Sequence, residues 1–172
     1  TGQTFYAHGK LLLSAEYFVL DGALALAVPT RYGQHLNVIA DAKEPGTLHW
    51  KSLDVEGGGW FHARFELGTA LKVSEASDAT VAKVLLQMLA AIQERKPNLF
   101  ATDQGLEITT RLEFPRNWGL GSSSTLIANL ARWSQVDPYF LLEKSLGGSG
   151  YDLACALAGG PILYERRSDG PG

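Results

Sequence analysis

Pro115-Arg116-Asn117-Trp118-Gly119-Leu120-Gly121-Ser122-Ser123-Ser124-Thr125 is the stretch on which the reading of this chain turns. It follows an alternating strand pattern and precedes an apolar run of helical spacing. Two glycines let the backbone turn tightly and approach a ligand closely. Three serines and a threonine then place hydroxyls where a helix exposes its unpaired N–H groups. An anion suits such a site, a nucleotide phosphate above all. The same residues also make an ordinary loop with a Ser/Thr N-cap. The neighbouring sequence has to decide.

Just upstream, Leu106, Ile108, Leu112 and Phe114 alternate with Glu107, Thr109, Arg111 and Glu113, which predicts a strand with one buried face leading into the loop. Just downstream, Leu126, Ile127, Leu130 and Trp133 predict a helix over 125–133. Asp137-Pro138 reads as a helix start, since proline is welcome at the first helical position, and predicts a helix over 139–146. A second small-residue loop follows, Gly147-Gly148-Ser149-Gly150-Tyr151-Asp152, then a helix over 153–158 and a strand over 161–164. Farther upstream, Val81, Val84, Leu85, Met88, Leu89 and Ile92 share one helical face, so a helix runs over 78–95. Ser77 or Asp78 caps it, and Met88 reads as core. The first half is mostly β: strands over 4–13 with a bend at Gly9-Lys10, 23–28 ended by Pro29, 36–40, 47–53 and 60–66. The class is α+β, with one domain over 1–165 and a linker, or the truncated start of a missing C-terminal domain, over 166–172.

The 172 residues are 45% apolar and 19% charged, the range of a folded globular domain. A net charge of −3 with scattered Lys and Arg gives no footprint for nucleic acid. No stretch approaches the roughly 18–20 apolar residues of a membrane span. The single cysteine, Cys155, lies in an apolar run and reads as a small buried hydrophobe. A cytoplasmic setting fits that count. Oligomeric state is not legible, and a homodimer stays open.

Three polar clusters interrupt this pattern: Gly9-Lys10 with Glu16, the loop 119–125, and Ser149-Gly150-Tyr151-Asp152. Phosphoryl transfer needs amides around the phosphates, positive charge over the transferred group, and a base or orienting group at the acceptor. The loop amides meet the first need, and a serine hydroxyl can ligate Mg²⁺. Lys10 can neutralise charge, and Asp152 can receive a hydroxyl proton. Each also has a plainer reading: Lys10 a solvated strand end, Asp152 an N-cap, Glu16 a turn residue. Competing signatures are missing. There is no G-x-x-x-x-G-K-[ST] loop and no G-x-S-x-G elbow, and all four histidines precede Ser122, so a Ser…Asp…His order cannot be built.

Three blocks together resemble the GHMP kinases, the superfamily of galactokinase, homoserine kinase, mevalonate kinase and phosphomevalonate kinase. Ala7-His8-Gly9-Lys10-Leu11-Leu12-Leu13-Ser14-Ala15-Glu16-Tyr17-Phe18-Val19-Leu20-Asp21-Gly22 is similar to the N-terminal A-P-G-K…G-E-Y-x-V-L-x-G block. Pro115-x-x-x-Gly119-Leu120-Gly121-Ser122-Ser123-Ser124 resembles the phosphate loop P-x-x-x-G-L-G-S-S-A, and Ser149-Gly150-Tyr151-Asp152 the S-G-x-D segment. The resemblance implies an N-terminal α+β domain with a mixed sheet, helices on one face and a left-handed βαβ crossover. It implies ATP phosphates over Gly119, Leu120, Gly121, Ser122, Ser123 and Ser124, with Ser123 as a Mg²⁺ ligand. Asp152 would be the base or orienter, with Lys10 beside it. Glu16 and Ser149 would lie on the substrate side, and Glu143 is the acidic residue available as a second Mg²⁺ ligand.

The departures are specific. His8 replaces the usual proline, and Ser14-Ala15 the usual small-Gly pair, so the acceptor pocket is expected to differ. Trp118 sits where small residues are common, either under the loop or beside the adenine. No C-terminal G-x-G-G-type block appears, so the complete active site is expected to need residues beyond these 172. The leading function is ATP-dependent phosphoryl transfer to a hydroxyl or phosphate of a small metabolite, mevalonate or phosphomevalonate first. Diphosphomevalonate decarboxylation and a non-catalytic metabolite-binding module are the alternatives.

Overall fold

Alternation of apolar and polar residues builds one mixed sheet in the computed structural model, which describes residues 2–14, 24–41, 44–101, 103–148, 150–167 and 170–171. The strands are β1 (Gly2–Leu12), β2 (Ala25–Asp41), β3 (Thr47–Leu53), β4 (Gly59–Glu66), β5 (Lys72–Ala76), β6 (Gly105–Leu112) and β7 (Ile162–Tyr164). Their spatial order is β1-β2-β6-β3-β4-β5, with β7 beside the start of β2. Strands β3 and β6 pair in parallel, and the other pairs are antiparallel. The crossover between β3 and β6 runs through β4, β5 and a long helix, α1 (Ala79–Arg95). Three further helices follow: α2 (Ser122–Ser134), α3 (Pro138–Lys144) and α4 (Tyr151–Leu157).

The helices cover one face of the sheet. Leu36, Val38, Phe61, Phe65, Ile108 and Ala63 point into a core shared with Leu85, Met88, Leu89 and Ile92 of α1, Ile127 and Leu130 of α2, and Leu141 of α3. Each fully buried Leu, Ile or Phe stabilises the fold by about 1.5–3 kcal/mol through water exclusion. The alternate residues Lys51, His62, Arg64, Glu107 and Arg111 face solvent on the other side. Helix α1 begins as its sequence predicts: the Asp78 carboxylate accepts from the N–H groups of Thr80 and Val81, at 2.8 and 3.1 Å.

Several element bounds differ from those the sequence predicts. The strands over 23–28 and 36–40 are one strand, β2, which runs straight through Pro29. Pro29 has a ladder partner only on β1, because on the other side β7 takes 25–27 and β6 takes 34–41. Proline is tolerated where a flank lacks a partner. Strand β5 is unforeseen. Helix α2 starts at Ser122, three residues before its apolar stripe, and α3 spans 138–144. The tail expected as linker carries two short paired strands, β8 (Arg166–Arg167) and β9 (Gly170–Pro171). Among the described residues no helix is long and apolar enough to cross a membrane.

Candidate nucleotide and phosphoryl-transfer site

Strand β6 delivers the chain to a short 3-10 turn at Arg116–Trp118. Gly119 and Gly121 then take φ of 67° and 79°, a left-handed conformation that costs other L-residues roughly 1–2 kcal/mol. Helix α2 begins directly after Gly121, and no side chain caps it. Its first-turn N–H groups therefore have no side-chain acceptor within the helix start. Ser123 is exposed, Ser122 half-buried and Ser124 buried.

Buried polar bonds fix the helix behind that loop. Thr125 Oγ1 donates to Gln34 Oε1 at 2.7 Å, and Asn129 Nδ2 to the Gln34 carbonyl at 2.8 Å. Arg132 reaches the Tyr6 carbonyl from the next turn. The loop itself hangs on β1, where the Lys10 N–H donates to the Leu120 carbonyl at 2.9 Å. Strand β1 shifts register between His8 and Lys10, which confirms the bend at Gly9-Lys10. Gly9 is needed there for space: a Cβ would lie 2.8 Å from Thr30 Oγ1 and 3.0 Å from the Leu120 carbonyl.

The bend sends the Lys10 side chain to α4. Its Nζ lies 3.0 Å from Asp152 Oδ1 and donates to the Tyr151 hydroxyl at 3.2 Å. The lysine side chain is 11% exposed and the aspartate 32%. Burial disfavours the ammonium, but the carboxylate and hydroxyl of α4 outweigh it and hold the Lys10 pKa above its ordinary value. Lys10 is therefore a cation at neutral pH. Burial, with Asp152 adding to it, pushes the Tyr151 phenol up. The same two causes raise the buried Cys155 thiol, one turn later on α4. Cys155 is thus a buried free thiol, as its apolar surroundings in the sequence suggest. Asp152 sits inside the first turn of α4, behind Gly150 at φ 82°. The N-cap reading of Asp152 does not hold.

A cavity of about 240 Å³ opens beside Ser122 and Ser123. Trp60, Leu85, Met88 and Arg116 are among its lining residues. The Arg116 guanidinium lies 3.7 Å from the centre of the Trp60 ring, a cation–π contact. Met88 is core, as its stripe predicts, yet it also lines this cavity. Trp118, expected under the loop or beside a base, is instead 58% exposed and outside the lining. Sequence reasoning missed Trp60 and Arg116 as lining residues; only the place of Arg116 inside the loop hinted at it.

The structure thus unites Lys10, Asp152 and the loop 119–124. Glu143 is exposed on α3, and among the described residues no hydrogen bond or ion pair ties it to them. Glu16 and Ser149 lie outside the described residues.

No protein-family model and no curated protein sequence matches the chain. Solved structures do. Mevalonate kinase of Methanococcus jannaschii superposes with a TM-score of 0.68 at 11% identity, over 100% of this chain and 55% of that one. L. major mevalonate kinase in complex with R-mevalonate gives 0.64 at 20% identity, over 99% and 51%. Streptococcus pneumoniae phosphomevalonate kinase in complex with phosphomevalonate and AMPPNP gives 0.64 at 16%, over 95% and 50%. The fold is that of the GHMP kinase N-terminal domain. Mevalonate and phosphomevalonate kinases are among the structures it resembles, and the chain spans about half their length.

Proposed function

We propose that the complete protein is an ATP-dependent small-molecule kinase, with mevalonate or phosphomevalonate as the first acceptors to test. The observation that carries the reading is the contact between Lys10 and Asp152, 3.0 Å apart, beside a loop bonded to Lys10 through the Leu120 carbonyl. A cation, a carboxylate and a set of open helix amides are the parts that phosphoryl transfer needs from a protein.

Fit to MgATP rests on these residues. The left-handed glycines and the uncapped start of α2 suit the phosphates, and the adjoining cavity, with apolar and aromatic lining, suits a base. Among the described residues no three His, Cys, Asp or Glu side chains gather as a metal cage. Magnesium rarely uses one, since it keeps water and substrate phosphates and takes one or two protein ligands. The exposed Ser123 hydroxyl would be such a ligand, and Glu143 would be a second only after approaching from α3.

When bound, MgATP supplies the transferable phosphoryl group. The chain's own residues hold its phosphates, keep a positive charge at Lys10, and offer Asp152 to orient or accept the proton of an acceptor hydroxyl. The test is an acceptor panel: the complete protein with MgATP and, in turn, mevalonate, phosphomevalonate and diphosphomevalonate, following ADP and CO₂. ADP with one acceptor and no CO₂ supports the kinase. CO₂ release identifies a decarboxylase, and ATP binding without any turnover identifies a binding module.

A further inference from the structure

Glu113 lies two residues before Pro115, at the point where β6 leaves the sheet for the loop. Its carboxylate ties the end of β6 to two other strands, β1 and β2. Oε2 accepts from the Tyr6 hydroxyl on β1 at 2.7 Å and from the Gly33 N–H on β2 at 3.1 Å. Oε1 lies 3.0 Å from His35 Nε2, also on β2, which donates in the matching tautomer. The Glu113 N–H in turn donates to the Gly33 carbonyl at 2.9 Å. Burial works against the carboxylate charge, yet these donors outweigh it and hold its pKa below the usual range. The packing is close: a Cβ on Gly33 would lie 2.2 Å from the Ala7 carbonyl and 2.6 Å from Tyr6 Cζ.

From this clasp the chain runs two ways to the site. Four residues along β1 from Tyr6 is Lys10, and seven along from Glu113 is Leu120. The two ends meet again at the bond from the Lys10 N–H to the Leu120 carbonyl. We propose that Glu113 is a positioning residue, which through Tyr6 and Gly33 sets where Lys10 stands relative to the phosphate loop and Asp152. The inference rests on the kinase reading only for its effect on turnover; its geometric part stands alone.

Its test compares the complete wild-type protein with Glu113→Gln, a near-isosteric change that weakens the acceptor, and with Tyr6→Phe, which removes one of the three donors. The first readout is the Lys10 amine titration by NMR, assigned with Lys10→Met. Glu113→Gln loosens the pairing with Asp152, so the Lys10 midpoint falls, and Tyr6→Phe lowers it less. The second readout is turnover of MgATP with the acceptor found on the panel. Glu113→Gln lowers kcat by about 10- to 100-fold, as expected for misplacement near 1 Å, while the Kd for Mg-AMPPNP holds. In a Lys10→Met background the same substitution has no further effect on kcat. A fall in melting temperature with an unmoved Lys10 midpoint overturns the proposal, and so does a kcat effect that multiplies with Lys10→Met. A lowered midpoint in a protein that turns over no acceptor supports the positioning role and rejects the kinase reading.

Discussion

Gly9→Ala is the substitution that probes the site's architecture most sharply. Gly9 is not in the left-handed region, so a side chain is excluded there by neighbours alone. The added methyl would lie 3.0 Å from the Leu120 carbonyl, 2.8 Å from Thr30 Oγ1 and 3.2 Å from the Tyr32 carbonyl. Two of these are backbone atoms, which cannot swing aside. Overpacking of this kind costs about 1–3 kcal/mol. Prising β1 from the loop also strains the bond from the Lys10 N–H to the Leu120 carbonyl, worth about 0.5–1.5 kcal/mol net. The sum is about 1.5–4.5 kcal/mol, or about 3–18 °C in Tm for a chain of this size. Gly119→Ala is the control. Its Cβ would meet nothing within 4 Å, so it carries only left-handed strain of about 1–2 kcal/mol. Thermal unfolding by circular dichroism measures both variants, and calorimetry with Mg-AMPPNP measures binding. Gly9→Ala should lose more stability and more affinity than Gly119→Ala. Equal or smaller losses at Gly9 would refute the claim that β1 and the loop 119–124 are locked together.

The ion pair of Lys10 and Asp152 makes stability depend on pH in the alkaline range. The folded Lys10 pKa is raised above the unfolded value near 10.5, so its contribution is fully present below that value and is lost as pH rises through the folded pKa. Urea unfolding at stepped pH should show the gap between wild type and Asp152→Asn constant near neutrality and shrinking in that range; a gap that widens would be the wrong sign. Ser123→Ala should leave Tm within about 0.5 kcal/mol equivalent, because the residue is exposed, while raising the Mg²⁺ concentration needed for half-maximal ATP binding. An unchanged Mg²⁺ requirement would remove Ser123 from the metal's ligands.

Strong local patterns are legible in the residues themselves. Helix α1 carries a full apolar stripe and its own cap at Asp78, and β6 alternates without a break, so each states its partner face in its own sequence. Strand β5 is not legible, because Lys72–Ala76 is exposed almost throughout and leaves no alternation to read. Pro29 suggests a break in β2 because local rules cannot know that its flank lacks a neighbouring strand. The polar first turn of α2 hides that helix's start for a related reason: its serines serve the loop, and the apolar stripe begins later. At the site, motif spacing finds the loop, Lys10 and Asp152. It cannot find the Glu113 clasp, whose partners lie 107, 80 and 78 residues away, nor Trp60 and Arg116, which share a cavity wall only through the sheet.

The central claim is that Asp152, held by Lys10 beside an anion-binding loop, serves phosphoryl transfer. Its most direct test is transfer from MgATP to the panel acceptor by the complete protein, wild type against Asp152→Ala, with Mg-AMPPNP affinity measured alongside. The account predicts a loss of at least about 10²-fold in kcat, in line with removal of a positioned base, with nucleotide affinity nearly unchanged. Wild-type turnover in Asp152→Ala would contradict it.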